Sequence, residues 1–158
     1  MSDARFEDAA DAPLRLIAQD ADSLLVLSAL LQDAVFLASD MAYDRVKRRF
    51  AVLLNRFRWE DVPRAERAGH SYERVRAMLV FDNVQAVQSH DIDRADTAAV
   101  LSLLSIAVEP LAEGAARIRL NLAGQGGLAI SVEVLEVSLA DVTRPHLATS
   151  AHKPQHKS

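Results

Sequence analysis

The chain has 158 residues, half of them hydrophobic, with 18 Lys/Arg against 22 Asp/Glu and a formal net charge of −4. No cysteine is present, which excludes disulfides, thiolate metal sites and cysteine nucleophiles, and the acidic balance argues against general nucleic-acid affinity. One domain of ordinary size is expected, with a core mainly of Leu, Val, Ala and Ile, because there are only one Trp, two Tyr and five Phe.

Residues 1–12 read as a disordered acidic arm without the apolar stretch of a signal peptide. Leu14 to Ala18 is a short apolar run and is taken as the first strand. Asp20 or Asp22 caps a helix that runs to about Asp33, with Leu24, Leu27 and Leu31 in helical spacing and Leu25 and Leu30 widening the stripe. Ser28 sits at the edge of that stripe. Ala34 to Tyr43 is expected as a strand. Arg48 to Trp59 is the clearest strand, apolar on both faces up to Leu54 and then on one, as when a strand leaves the covered part of a sheet. Glu60 to Ser71 holds Pro63 and Gly69 and reads as a loop. Tyr72 to Phe81 alternates as a strand, Asp82-Asn83 suits a tight turn, and Val84 to Ser89 returns as a strand.

The run Asp96-Thr-Ala-Ala-Val-Leu-Ser-Leu-Leu-Ser then echoes Asp22-Ser-Leu-Leu-Val-Leu-Ser-Ala-Leu-Leu at a shift of 74 residues. It is read as a second helix over roughly Thr97 to Ala107, with Pro110 and Gly114 beyond its end. Arg117 to Ala123 is a strand, Gly124-Gln-Gly-Gly127 a hairpin turn, and Leu128 to Val142 one long strand or two with a bend. The resulting expectation is an α+β fold: a tandem duplication of a strand-helix-strands unit, with two helices packed on antiparallel sheet. The single domain spans residues 13–142, with pseudo-repeats at about 13–81 and 82–142, and residues 143–158 form a disordered tail.

Three stretches could carry chemistry. Arg56, Arg58, Arg74 and Arg76 would line one face if their strands pair as a hairpin, with Tyr72 sharing that face; such a cluster can grip phosphate or carboxylate. It belongs to a segment, Arg45 to Arg76, with ten Lys/Arg against four Asp/Glu, an excess of +6 that leaves the rest of the chain at 8 minus 18, or −10. The plainer reading is a solvated sheet face with cross-strand charge pairs to Glu60 or Glu73. Trp59, where a strand enters the loop, is either an anchor for that loop or a contact for a partner. His90, Asp91 and Asp93 are the densest group of possible metal ligands or acid–base residues, but their spacing matches no EF-hand loop, and capping of the second helix is the simpler role. There is no P-loop, G-x-G-x-x-G, H-E-x-x-H or G-x-S-x-G motif.

The runs Pro13-Leu-Arg-Leu-Ile-Ala-Gln-Asp20, Asp40-Met-Ala-Tyr43, Arg49-Phe-Ala-Val-Leu-Leu-Asn-Arg-Phe-Arg-Trp-Glu60 and Asp93-Arg-Ala-Asp96 resemble an alphaproteobacterial domain-of-unknown-function family of small cytoplasmic proteins. The resemblance covers nearly all of residues 13–142, leaves the tail after Arg144 outside, and supplies no functional residues. It implies a bacterial, cytoplasmic protein. The reading is a non-catalytic module for protein interaction or self-association, with Arg56, Arg58, Trp59, Tyr72, Arg74 and Arg76 as contact residues. Phosphate-ligand or nucleic-acid binding by the same arginines is the first rival, and an enzyme using His90, Asp91 and Asp93 the second. No catalytic residue, metal or cofactor is assigned, and no membrane span is expected, since no apolar run reaches about 18 residues.

Overall fold

A computed structural model describes residues 13–61, 73–93, 95–96 and 98–142. The acidic arm, the loop 62–72 with Tyr72, and the tail lie outside the described residues. Those described form ten strands and one α-helix. The strands are β1 (Arg15–Ala18), β2 (Val35–Leu37), β3 (Met41–Asp44), β4 (Arg49–Phe57), β5 (Arg74–Phe81), β6 (Val84–His90), β7 (Val100–Pro110), β8 (Ala116–Leu122), β9 (Gly127–Val132) and β10 (Val137–Asp141). The helix, α1, is Ala21–Leu30. The sheet runs β1-β10-β5-β4-β2-β7-β8-β9-β6, with β3 on β4, and every pairing is antiparallel.

Helix α1 starts where the sequence places it and ends at Leu30, short of the expected Asp33. The Asp20 carboxylate accepts from the Ser23 N–H at 2.7 Å, satisfying one of the free donors of the first turn. That bond holds the Asp20 carboxyl below its usual range. Leu24, Leu27 and the following Leu31 are buried, while Leu25 and Val26 stay exposed.

The expected second helix is instead strand β7, and with it the two-helix tandem duplication falls. A β-bulge explains the false period. Leu103 pairs with Leu122 and Ser105 with Asn121, so Leu104 is an extra residue on β7. The bulge moves the next inward side chain from 105 to 106. Leu103 and Ile106 are both buried, three residues apart, and so imitate a helical step. The backbone N–H of Ile106, beside the bulge, donates to Ser28 Oγ of α1 at 2.9 Å. The two echoed segments are therefore a helix and the strand it packs on, not two copies of one helix.

Three further departures shape the fold. The run expected as a strand from Ala34 to Tyr43 breaks at a 3₁₀ turn, Ala38–Asp40, where Asp40 accepts from the Leu37 N–H at 2.9 Å. Asp82-Asn83 does not return β6 onto β5. Asn83 has φ +59, and β6 crosses to pair with β9. The chain crosses back between β9 and β10, and the two crossings are tied by Asp82 N–H to Glu136 O (3.1 Å) and Glu133 N–H to Asn83 O (2.9 Å). One buried cluster joins both ends of the sheet, including Leu24 of α1, Phe81 of β5, Leu103 of β7 and Ile130 of β9.

Candidate functional site

Strand alternation decides what the four arginines can do. On β4, Phe50, Val52 and Leu54 point into the core, and Arg56 continues the same inward row. Arg56 is 0 % exposed, and Arg58, just past the strand, is 3 % exposed. On β5 it is Val75 and Ala77 that point inward, leaving Arg74 and Arg76 on the outer face. The strands pair with Arg56 opposite Val75, Asn55 opposite Arg76 and Phe57 opposite Arg74. The expected hairpin forms, but the four arginines divide between opposite faces.

Arg56 is saturated. Nε and Nη2 donate to Asp141 of β10 at 3.0 and 3.1 Å. Nη1 and Nη2 donate to Glu60 at 2.9 and 2.7 Å, and Nη1 also donates to the Phe57 carbonyl at 2.9 Å. All five guanidinium N–H groups are thus used. Burial works against its charge, but the bonds to Glu60 and Asp141 outweigh it and hold the guanidinium protonated above its ordinary range. Asp141 also accepts from the Leu14 N–H at 2.9 Å, so one buried ion cluster ties β1, β4 and β10 together. Arg58 Nη1 donates to Glu73 at 2.5 Å. These two arginines staple the exit of β4 and have taken partners within the chain.

Arg74 and Arg76 are exposed. Arg74 lies over the Phe57 ring at 3.9 Å from its centroid, a cation–π contact. Phe57 meets Trp59 at 5.3 Å. Trp59 is half-buried, and its Nε1–H donates to the Gln32 carbonyl past the end of α1 at 2.9 Å, which fastens the start of the loop to the helix.

The outer side of β1-β10-β5-β4 is more apolar than a solvated sheet face. Its rows run Ile17, Ser138, Val80, Ala51 and then Arg15, Ala140, Met78, Leu53. Ile17 is 65 % exposed and Val142 51 % exposed. No described helix or sheet packs on these rows, for α1 contributes its leucines to the core cluster on the inner side. Arg15, Arg74 and Arg76 stand at one end of the face; at the other, Arg49 is bonded to Asp82 at 2.8 Å. Beside Asn55 and Arg76 the face dips into a cleft of about 330 Å³ rimmed by Leu37 and Val100, and Asn55 Oδ1 is buried there without a hydrogen-bond partner among the described residues. Arg74 and Arg76, expected as contacts, border this face, but its apolar rows were not among the expected contacts. Their signal was present in the apolar second side of Arg48 to Trp59, since a strand apolar on both faces calls for a second covering layer.

His90, the last residue of β6, and Asp91 and Asp93, in the link from β6 to β7, are all exposed. Among the described residues no helix follows for them to cap. Asp91 takes φ +55, and Asp93 accepts from the Ala95 N–H at 3.0 Å, closing a turn. Among the described residues no group of three His, Asp or Glu is placed to hold a metal ion. His90 lies over Gly127, where a Cβ would come within 2.6 Å of the imidazole Cε1. Among the described residues no helix is long and apolar enough to cross a membrane.

The family model described as "Protein of unknown function (DUF2948)" matches residues 14–156. The match thus runs on through the tail that the resemblance had placed outside the family. Comparison with curated proteins and with solved structures gives no match.

Proposed function

Because the chain belongs to the DUF2948 family, whose description assigns no activity, we propose a function from its surface: a non-catalytic module that binds a protein partner through the outer face of β1-β10-β5-β4. The observation that carries this is the apolar outer face itself, on which Leu53, Met78 and Val80 are half-buried and Ile17 and Val142 exposed with no described element over them, since apolar area rimmed by polar groups marks an interaction surface. Trp59, Arg74 and Arg76 remain contact residues, joined by Arg15, Ile17 and Met78. Arg56 and Arg58 are withdrawn from the contact set because they are buried.

The occupant is a protein segment with apolar side chains flanked by carboxylates. The face carries Arg15, Arg74 and Arg76 at one end, with Asp40 at the cleft, and Arg49, Asp44, Asp82 and Glu136 at the other, so its charges balance overall but are segregated. The arginine end, Arg15, Arg74 and Arg76, attracts an acidic partner segment. Nucleic acid fits less well, because the Phe57 ring is already covered by Arg74 and offers no open platform for a base. The absence of cysteine and the family resemblance support a bacterial, cytoplasmic setting.

The test compares wild type with Arg74→Glu/Arg76→Glu in crosslinking under nuclease, with the crosslinked peptides identified. A partner joined at β4 or β5 through an acid-flanked apolar segment, and lost in the variant, supports the reading. Unchanged crosslinks, crosslinks only between copies of this chain, or loss on nuclease treatment each overturn it.

A further inference from the structure

A second surface, on the far side of the sheet path, has the build of a small-ligand site. Among the described residues, strand β6 ends the path and pairs only with β9, while β3 pairs only with β4. The two free edges lie on either side of a slot. It is closed at one end where the Val84 N–H donates to the Arg48 carbonyl at 2.9 Å. Backbone groups on both edges have no strand partner among the described residues and are open to water or a ligand.

The slot has two connected parts, about 310 Å³ and about 540 Å³, which share Tyr43, Arg45 and Val87. Either volume is in the range of small-molecule sites, roughly 300–1,000 Å³. The smaller part is lined by Met41, Phe50, Val87 and Leu128 together with Ser89, Tyr43 and Arg45, and polar atoms make up more than half of its open lining. Phe50 and Leu128 are core residues, so this lining is continuous with the protein interior. The larger part opens toward Arg48 and Gln85.

Charge at the mouth is unbalanced. Arg48 is held by Glu133 at 2.7 Å. The Asp44 carboxylate accepts from the Lys47 N–H at 3.1 Å within the β3–β4 turn. Arg45 lies 5.7 Å from the Tyr43 ring centroid and has no carboxylate partner among the described residues. A cation over an aromatic ring, beside apolar side chains such as Met41 and Val87, is suited to a molecule with an anionic head and an apolar body.

We propose that the slot between β3 and β6 binds a small amphipathic anion, a carboxylate or sulfonate on an apolar chain, with Arg45 and Tyr43 at the head and Met41, Val87 and Leu128 along the body. This site is separate from the outer face and does not depend on a protein partner.

The probe is decanoate, added to the full ¹⁵N-labelled chain, with 1-decanol as the neutral control. Saturable shifts are expected in the amides of Met41–Asp44 and Val84–Ser89, at a dissociation constant on the order of 1 mM or lower. Decanol should bind more weakly. Arg45→Ala, a surface change, should weaken decanoate roughly fivefold and leave decanol unchanged. Val87→Trp should fill the slot and abolish both. Absence of saturable shifts, shifts centred on Leu53, Met78 and Val80 of the outer face, or equal decanoate affinity in Arg45→Ala would each overturn the proposal.

Discussion

Arg56 and Arg74 sit on neighbouring strands, one residue out of register, and have opposite fates. Arg56 is the last inward position of β4, where the core row of Phe50, Val52 and Leu54 reaches the end of the sheet. There a guanidinium can be buried because Asp141 and Glu60 meet all its donors. Arg74 is on the outer row, keeps its charge in solvent and covers Phe57. The lesson is that arginine in an alternating strand does not mark the wet face by itself. What decides is which parity the buried neighbours share, and whether carboxylates arrive from elsewhere in the chain to receive the charge.

The sharpest way to break the comparison is to remove the two arginines separately. Arg56→Met should cost about 3–5 kcal/mol, because Asp141 is then buried with its counter-charge gone. Urea denaturation measures this directly. A cost under about 1 kcal/mol would place Arg56 with the surface arginines and undo the distinction.

The second region to compare is the pair of echoed segments. Helix α1 was legible because its cap and its leucine stripe agree. Asp20 supplies the acceptor, and Leu24, Leu27 and Leu31 fall on one side. Strand β7 was not, because the bulge at Leu104 hides its period of two. The pairing that creates the bulge is with β8, beyond the reach of any local pattern. The same holds for the site. Asp141 is 85 residues from Arg56, and nothing near Arg56 announces it except Glu60. Strand limits such as those of β4 and β8 were readable from alternation alone. The crossing of β6 to β9 was not, since Asp82-Asn83 suits a hairpin and a crossover equally well. Ser28 links the two segments, and Ser28→Ala removes the acceptor for the Ile106 N–H. A loss of about 1 kcal/mol is expected, read from the same denaturation curves. An unchanged midpoint would mean that the N–H is satisfied by water and that the bulge needs no helix to hold it.

Acid should separate the two arginine sets more gently. Burial raises the Glu60 carboxyl, but the bonds from Arg56 outweigh this and hold it below the usual carboxylate range. With the folded value below the unfolded one, the stability it contributes is present above about pH 4.3. It is lost as pH falls through the lowered folded value. Glu60→Gln should therefore flatten the acid limb of a stability–pH curve and leave the Arg74 contact untouched. An acid limb as steep as wild type would mean that other carboxylates carry it.

The smallest stability effect belongs to the outer arginines, and it is the one with the most to say about function. Arg74→Ala gives up an exposed cation–π contact, about 0.5–1 kcal/mol. Arg76→Ala, with no ion pair among the described residues, should stay within about 0.5 kcal/mol. If these side chains exist for the fold, nothing further should change when both are replaced. If they border a docking face, the pair of substitutions should leave the urea midpoint nearly where it was and still abolish the crosslinks at β4 and β5. Stability and binding are separable at this face because its apolar rows lie outside the core cluster, on the side of the sheet that no described element covers. They are not separable at Arg56, where losing the guanidinium loosens β1, β4 and β10 together.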